Sequence, residues 1–361
     1  MTDTAPLGRG RIGILPRPTR LADESHLEFL ESLRDLLLIR MFPAMGAAGE
    51  ARMAADGVAA DDATPLAAIQ ASFAKAPIVP TWQRFMRTQQ EMMWRRVRES
   101  FAQDEAAQEA WMAKAEQAGP GRLIVDPAFV VPDAYRREIH LQPGGYTDDR
   151  TLGGVVYHYG TKVFYQGQND QDELHAELAA KLTLPADGKV ARVLDVGCTI
   201  GQATVFLKDR FPEAEVTGLD VGLPVLRYAH ARAAERGTDV DFVQALAEAM
   251  PFDDGHFDAV LSYILFHEVP IATIPAVLTE LHRVIRPGGT LSIFEFPNTS
   301  GGLTPAHRFM IDYDSRDNCE PYSVDFVTSD FQGMLRAAGF ELTAGPPMSN
   351  AFLQSIIATR P

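Results

Sequence analysis

The run VLDVGCTIGQAT, residues 193–204, changes character twice. Its opening residues are apolar apart from Asp195 and suit a strand buried on both faces, whereas the residues from Gln202 onward suit a helix. Between them lies a glycine-containing turn. Strand, glycine turn and helix in that order are how a doubly wound sheet builds a ligand cradle at its carboxyl edge. Gly197 and Gly201 let the backbone approach a ligand closely, although a purely structural turn uses the same residues.

Outward from this run the alternation continues. VARVLDV, EVTGLD, VDFVQ, FDAVLSYI and GTLSIFEF read as short buried strands, and residues 202–211, 223–236 and 273–285 read as helices between them. The alternation predicts an α/β fold with a parallel sheet covered on both faces. DFQGMLRAAGFELTAGPPMSNAFLQSIIATRP then reads as a helix, a strand, a Gly-Pro turn and a last strand. Asp220 ends the EVTGLD strand, 25 residues after Asp195. A carboxylate at that place accepts hydrogen bonds from both ribose hydroxyls of a nucleoside; the plainer alternative is an N-cap for the helix from Leu223.

At this point a family resemblance becomes specific. DVGCTIGQAT resembles the first motif of the class I S-adenosylmethionine-dependent methyltransferases, and FPEAEVTGLDVGLPVLRYA resembles their second-strand region. LAEAMPFDDGHFDAVLSYILFHEVP is similar to their adenine-side loop and fourth strand, and LHRVIRPGGTLSIFEF to the turn and fifth strand that follow. The likeness covers about half the chain, in order. It implies a Rossmann-like, doubly wound, mostly parallel seven-stranded sheet with an antiparallel last strand. It also implies S-adenosylmethionine as cofactor and S-adenosylhomocysteine as product, with no metal. The implied cofactor contacts are Asp195, Gly197, Cys198, Thr199, Gly201, Asp220 and Val221, with Leu246 and Ala247 at the adenine edge. Tyr263 and Tyr165 join them because aromatic faces stabilise a sulfonium. Two positions depart from the pattern: Thr199 stands where the motif usually has its middle glycine, and Leu246 replaces the acidic residue that often meets the adenine amino group.

Methyl transfer from a sulfonium is an in-line displacement, so holding the acceptor in line is the main task, and a base matters when the acceptor is a hydroxyl. His267 and Glu268, after the fourth strand, are the candidate catalytic pair, with His267 the leading base. Tyr157, His158, Glu295, Asn298 and Tyr313 are the candidate acceptor-binding residues, from the connector, the end of the fifth strand and the insertion after it. Ordinary packing is the competing role for each connector tyrosine, and a structural strand-end acid is the competing role for Glu295.

The rest of the chain divides around this unit. Residues 1–20, rich in Gly, Pro and Arg, read as a flexible arm; residues 21–122 read as a mainly α-helical N-terminal domain. In that domain Leu27, Leu30, Leu33, Leu37 and Phe42 make an amphipathic face that Pro43 is expected to end, and the Ala- and Gly-rich residues 46–62 read as a loop. Further helices are expected over residues 65–76, 81–102 and 105–118. Residues 123–171, with short apolar runs, prolines and glycines, read as a connector or lid ahead of the cofactor domain at 172–361.

Composition removes several function classes. The formal net charge of -15 disfavours a phosphate backbone as partner, so no nucleic acid is expected. Two cysteines and no uninterrupted apolar run of spanning length give a cytoplasmic expectation without membrane contact. The turn at 197–201 lacks the G-x-G-x-x-G of a dinucleotide loop, no P-loop or zinc grouping occurs, and His267-Glu268 continues as Val-Pro, which breaks H-E-x-x-H. The reading is therefore methyl transfer to a small-molecule acceptor, at a hydroxyl oxygen, in an enclosed pocket. The alternatives are a cofactor-binding but non-catalytic regulatory or assembly protein, and a C-, N- or protein methyltransferase. The N-terminal helices also offer apolar faces for a homodimer.

Overall fold

The computed structural model describes residues 9–18, 20–61, 63–298, 303–349 and 353–361. A small hairpin of β1 (Arg11–Ile12) and β2 (Leu15–Pro16) leads into α1 (Leu21–Asp35), α2 (Phe42–Asp56), α3 (Leu66–Phe73), α4 (Ile78–Phe101) and α5 (Glu105–Ala118). The connector contributes β3 (Leu123–Ile124), α6 (Gly153–Phe164) and then α7 (Glu173–Lys181). After it come β4 (Arg192–Val196), α8 (Gln202–Arg210), β5 (Glu215–Asp220), α9 (Leu223–Arg236), β6 (Asp241–Gln244) and β7 (Phe257–Tyr263). The chain continues with α10 (Ile274–Val284), β8 (Ile285–Glu295), α11 (Pro305–Asp317), α12 (Ser323–Val327), α13 (Phe331–Ala337), β9 (Glu341–Ala344) and β10 (Gln354–Thr359).

The main sheet runs in the order β3-β6-β5-β4-β7-β8-β10-β9. Strands β3 to β8 pair in parallel, and β10 is antiparallel to both β8 and β9. The seven expected strands are joined by β3 at the edge, where Leu123 lies opposite Phe242. Strand order reverses at β4, with β5 on one side and β7 on the other, so a crevice opens beyond the carboxyl ends of these strands. Along β4 the pleat divides the side chains: Val193 packs with Leu207 of α8 and Leu226 of α9, while Leu194 and Val196 pack with Leu281 of α10 and Leu335 of α13. Burial on both faces is why β4, β5 and β7 read as nearly unbroken apolar runs.

A helical layer covers one side of the crevice. Trp94 and Val97 of α4, Val155 and Tyr159 of α6, and Val225 and Tyr228 of α9 form one continuous core. Gly160 makes the close approach of α4 to α6 practicable, because a Cβ there would lie 1.9 Å from the Trp94 ring. A further core gathers Trp82, Phe73 and Met45 against Phe309 and Tyr313 of α11, tying the N-terminal helices to the insertion after β8.

Four local expectations change. Pro43 does not end the helix: Phe42 N bonds to Leu37 O in a π-helical turn at Leu36–Met41, which passes directly into α2 with Pro43 in its first turn. That helix runs through most of the stretch expected to be a loop, as alanine's helix propensity allows. Within the connector, GGVVYHYGTKVF forms α6 despite its glycines and β-branched residues, because burial between α4 and α9 overrides local preference. Residues 1–8 lie outside the described residues; 9–18, expected to be flexible, are tied down by Arg9 and Arg17 on the buried Glu24 and by Ile14 N on Asp170 O at 2.9 Å.

Candidate functional site

The turn after β4 is built by its neighbours. Gly197 N and Cys198 N both donate to Leu219 O, at 2.8 and 3.0 Å, and Thr199 N donates to Asp220 Oδ2 at 3.0 Å. Gly197 has φ 74°, and a Cβ added to it would meet Leu265 at 3.1 Å. Thr199 also lies in the left-handed region, at φ 45°, which for a β-branched residue costs about 1–2 kcal/mol. From behind, Asp172 accepts from Gln202 Nε2 and from Arg232 Nη2, and Arg232 Nη1 donates to Ile200 O at 3.1 Å. The sequence reading gave Asp172 no role, and no local signal distinguishes it.

Two buried carboxyls face this cradle. Asp220 Oδ1 accepts from Gly222 N at 2.8 Å, and Asp195 Oδ2 accepts from Thr204 Oγ1 at 2.6 Å. Burial pushes Asp220 up to about 6, with backbone amides holding it back in part. Burial, with a further push from the Asp220 charge, takes Asp195 to about 7. Both therefore keep unmet demand for positive charge or hydrogen-bond donors. A nucleoside carrying ribose hydroxyls and a cationic sulfur fits that demand.

The cradle opens into a cavity of about 190 Å³. Leu246, Ala247, Val221 and Tyr263 line it on the sheet side; Trp94, Tyr146, Tyr157, Phe164, Tyr165 and Phe296 supply rings around the rest. The Tyr165 and Tyr263 hydroxyls are 3.1 Å apart, and Tyr146 meets Tyr157 edge to face at 5.5 Å between centroids. The polar end is formed by His140, His267 and Glu268.

His267 Nδ1 lies 2.7 Å from Glu295 Oε1, and Glu295 also accepts from Phe266 N and Phe296 N. Burial would lower the imidazole's proton affinity, but Glu295, aided by Glu268 and Glu320, raises it to about 9. His267 is thus an imidazolium at neutral pH. Glu268 Oε1 accepts from Tyr146 OH at 3.1 Å and lies 3.8 Å from His140 Nε2. Burial raises the Glu268 carboxyl above the ordinary glutamate range, against the pull of His267 and His140. His140 Nδ1 is 2.7 Å from Glu320 Oε1, and its backbone, at φ 56°, is gripped through its carbonyl by Trp94 Nε1 and Gln90 Nε2 at 2.6 and 2.5 Å.

Of the sequence candidates, Asp195, Gly197, Cys198, Thr199, Asp220, Val221, Leu246, Ala247, Tyr157, Tyr165, Tyr263, His267 and Glu268 converge on this cavity. The others lie elsewhere. Gly201 starts α8 against Phe242. His158 points away, with Nδ1 3.0 Å from Tyr228 OH and Nε2 3.8 Å from Asp172, because α6 turns that face toward α9. Glu295 is fully buried behind His267, Asn298 accepts from Gln354 Nε2 at 3.0 Å, and Tyr313 packs on Trp82 with ring centroids 5.2 Å apart. His140, Trp94, Phe164, His175 and Phe296 line the cavity without having been named as site residues, and Tyr146 joins them from the aromatic cluster of the connector. The Tyr-rich connector was a usable signal for Tyr146; for His140 the partner is Glu320, far away in sequence, and no signal existed.

Among the described residues no group of three or more His, Cys, Asp or Glu is arranged to hold a metal ion, and no helix is long and apolar enough to cross a membrane. Residues 193–289 match the profile of a methyltransferase domain. The chain is similar to an uncharacterized methyltransferase of Synechocystis sp., 31% identical over 169 residues, which are 46% of this chain and 74% of that protein. It is similar to demethylmenaquinone methyltransferase of Thermus thermophilus, 44% identical over 106 residues, 29% of this chain and 47% of the relative. Fatty-acid O-methyltransferase of Mycolicibacterium smegmatis is 36% identical over 124 residues, 34% and 44% of the two chains. The chain spans about half the length of these last two relatives. A solved S-adenosylmethionine-dependent methyltransferase from Aquifex aeolicus aligns over 55% of this chain and 96% of its own, with 20% identity and a TM-score of 0.41.

Proposed function

The chain belongs to the class I S-adenosylmethionine-dependent methyltransferases, and from that membership we propose that it methylates a hydroxyl oxygen of a small molecule enclosed between its helical layer and its sheet. The observation that carries this reading is the convergence of Asp220 and the 197–199 turn with a ring-lined cavity that ends in His267 and Glu268. Bound S-adenosylmethionine would supply a methyl group on a positively charged sulfur. Asp220 would hold the ribose through the lone pairs its backbone partners leave, and Leu246 and Ala247 would meet the adenine edge. Tyr165 and Tyr263 would present aromatic faces to the sulfonium. Walls from α4, α6 and the connector would exclude water and hold the acceptor in line, an effect worth up to about 7–11 kcal/mol in well-oriented systems. Glu268 and the His267–Glu295 pair would set charge and proton traffic at the acceptor end.

Calorimetry with S-adenosylmethionine and S-adenosylhomocysteine, followed by a labelled-methyl screen of small hydroxyl compounds, tests the reading. Binding and label transfer are expected, and the absence of binding removes the proposal. A second reading, a cofactor-binding protein without turnover, is favoured by the strained Thr199 and by Leu246 in place of an acid. Tight binding with no label transfer to any acceptor supports it.

A further inference from the structure

At the acceptor end of the cavity one carboxylate, Glu268, lacks a close cation. Glu295 is matched by His267 and Glu320 by His140, each at 2.7 Å, whereas among the described residues the one cation within 4 Å of Glu268 is the far nitrogen of His140, at 3.8 Å. Arg34, behind the same wall, acts on Asp314 and Glu320, and its guanidinium stacks on Phe164 at 3.7 Å and donates to Gln90 Oε1 and to Phe164 O. Tyr146 donates to Glu268 Oε1, and among the described residues no hydrogen bond reaches Glu268 Oε2. One carboxylate oxygen in a ring-lined chamber is therefore left for whatever occupies it.

Resting on the methyltransferase reading, we propose that the acceptor is a flat conjugated ring bearing an acidic hydroxyl, a phenol or ring enol, that Glu268 Oε2 receives the hydroxyl proton, and that His140 positions Glu268. The walls explain the flat ring, since Trp94, Tyr146, Tyr157, Phe164 and Phe296 offer faces and edges for stacking. The carboxylate without a close cation explains the hydroxyl. It would hold an amine as ammonium, which has no lone pair to offer, whereas a hydroxyl needs a proton acceptor. A carboxyl raised by burial remains too weak a base for an alkanol and is matched far better to a phenol, near 10 on the tyrosine scale. His267 is not available for the task, because it already holds its proton against Glu295.

In the step, the acceptor oxygen bonds to the methyl carbon as the carbon–sulfur bond breaks, and the electron pair of that bond stays on sulfur. The hydroxyl proton passes to Glu268 Oε2. The products are a methyl ether, neutral S-adenosylhomocysteine and a proton that Glu268 returns to solvent. His140 acts through Glu268: Nδ1 is fixed by Glu320 and Nε2 is aimed at Glu268, while Trp94 and Gln90 hold its backbone.

The test uses the full chain and a matched set of naphthol, naphthylmethanol and naphthylmethylamine, which share one ring and differ in nucleophile. Calorimetry with S-adenosylhomocysteine comes first; failure to bind it sinks the methyltransferase reading itself, not this refinement. With binding established, labelled methyl is expected on naphthol at least about tenfold faster than on the other two. Glu268→Gln is expected to lower kcat for naphthol by about 100-fold or more with KM and S-adenosylhomocysteine affinity within about threefold. Naphthol is also a photoacid, so in the S-adenosylhomocysteine complex the wild type is expected to show emission from the naphthol anion and Glu268→Gln to lose it. For His140 the two amides discriminate: H140Q places its nitrogen near the Nε2 position and is expected to stay within about threefold, whereas H140N keeps the Glu320 contact alone and falls about tenfold. A residue that only tolerated φ 56° and bonded Glu320 would show the reverse order. Preferred transfer to the amine or the alcohol, transfer to none of the three, or an unaffected Glu268→Gln variant overturns the proposal.

Discussion

Lowering the pH separates the stability of the empty fold from its affinity for the nucleoside. Asp220 titrates at about 6 in the fold against an ordinary 3.8, so at 1.36 kcal/mol per pH unit its ionisation costs the cofactor-free protein about 3 kcal/mol above pH 6. A carboxyl raised in the folded state binds more protons folded than unfolded between these two values. Stability of the empty protein therefore rises as the pH is lowered through about 6, and Asp195, at about 7, adds in the same direction. Affinity must move the other way. Ribose hydroxyls donate to an ionised Asp220, so binding of S-adenosylhomocysteine should weaken about tenfold for each pH unit below about 6. The homocysteine ammonium and carboxylate keep their charges in this window. Calorimetric titration from about pH 8 to about pH 5, beside thermal melts of the empty protein, gives both slopes, and Asp220→Asn should flatten most of the affinity slope. An affinity independent of pH, or an Asp220→Asn variant whose slope equals that of the wild type, refutes the ribose assignment.

Thr199→Gly should relieve about 1–2 kcal/mol of backbone strain, offset by up to about 1 kcal/mol of chain entropy, giving an equal or higher melting temperature with S-adenosylhomocysteine binding retained; loss of binding would make the threonine side chain a ligand. Gly160→Ala should force α4 from α6 and lower stability by about 2–3 kcal/mol in urea unfolding, since its Cβ would sit 1.9 Å from Trp94; an unchanged midpoint contradicts the close approach. Glu295→Gln should bring the His267 titration down from about 9 in a ring-proton NMR series. Because that imidazole is raised in the fold, its stabilising contribution is complete below about 6.5 and lost as the pH rises through about 9, and the variant should lose this alkaline decline.

The sheet and the turn that lines the cavity were legible because their information is local. Each strand of the 192–263 region carries its own apolar run, and the Asp195 and Asp220 positions follow from where those runs end. The far end of the cavity was not, because its contacts join distant segments. His140 is defined by Glu320, Trp94 and Gln90, none of them near it in sequence. Helix α6 looked like a loop for a related reason: Gly154 and Gly160 weaken a helix in isolation but are needed where Tyr228 and Trp94 press on it. Alanine-rich α2 failed on ambiguity, as small residues carry little periodicity to read.

The grip of Trp94 and Gln90 on the His140 carbonyl bears on how such a chain is recombined. Its N-terminal helices look like a detachable module, yet the loop that completes the cavity is shaped by α4. A chimera that exchanges residues 1–122 alone would inherit an acceptor wall cut to one template and a holder cut to another. Crossover points placed after α6, so that α4 and residues 137–142 travel together, should yield folded hybrids whose acceptor preference follows the donor of the N-terminal piece.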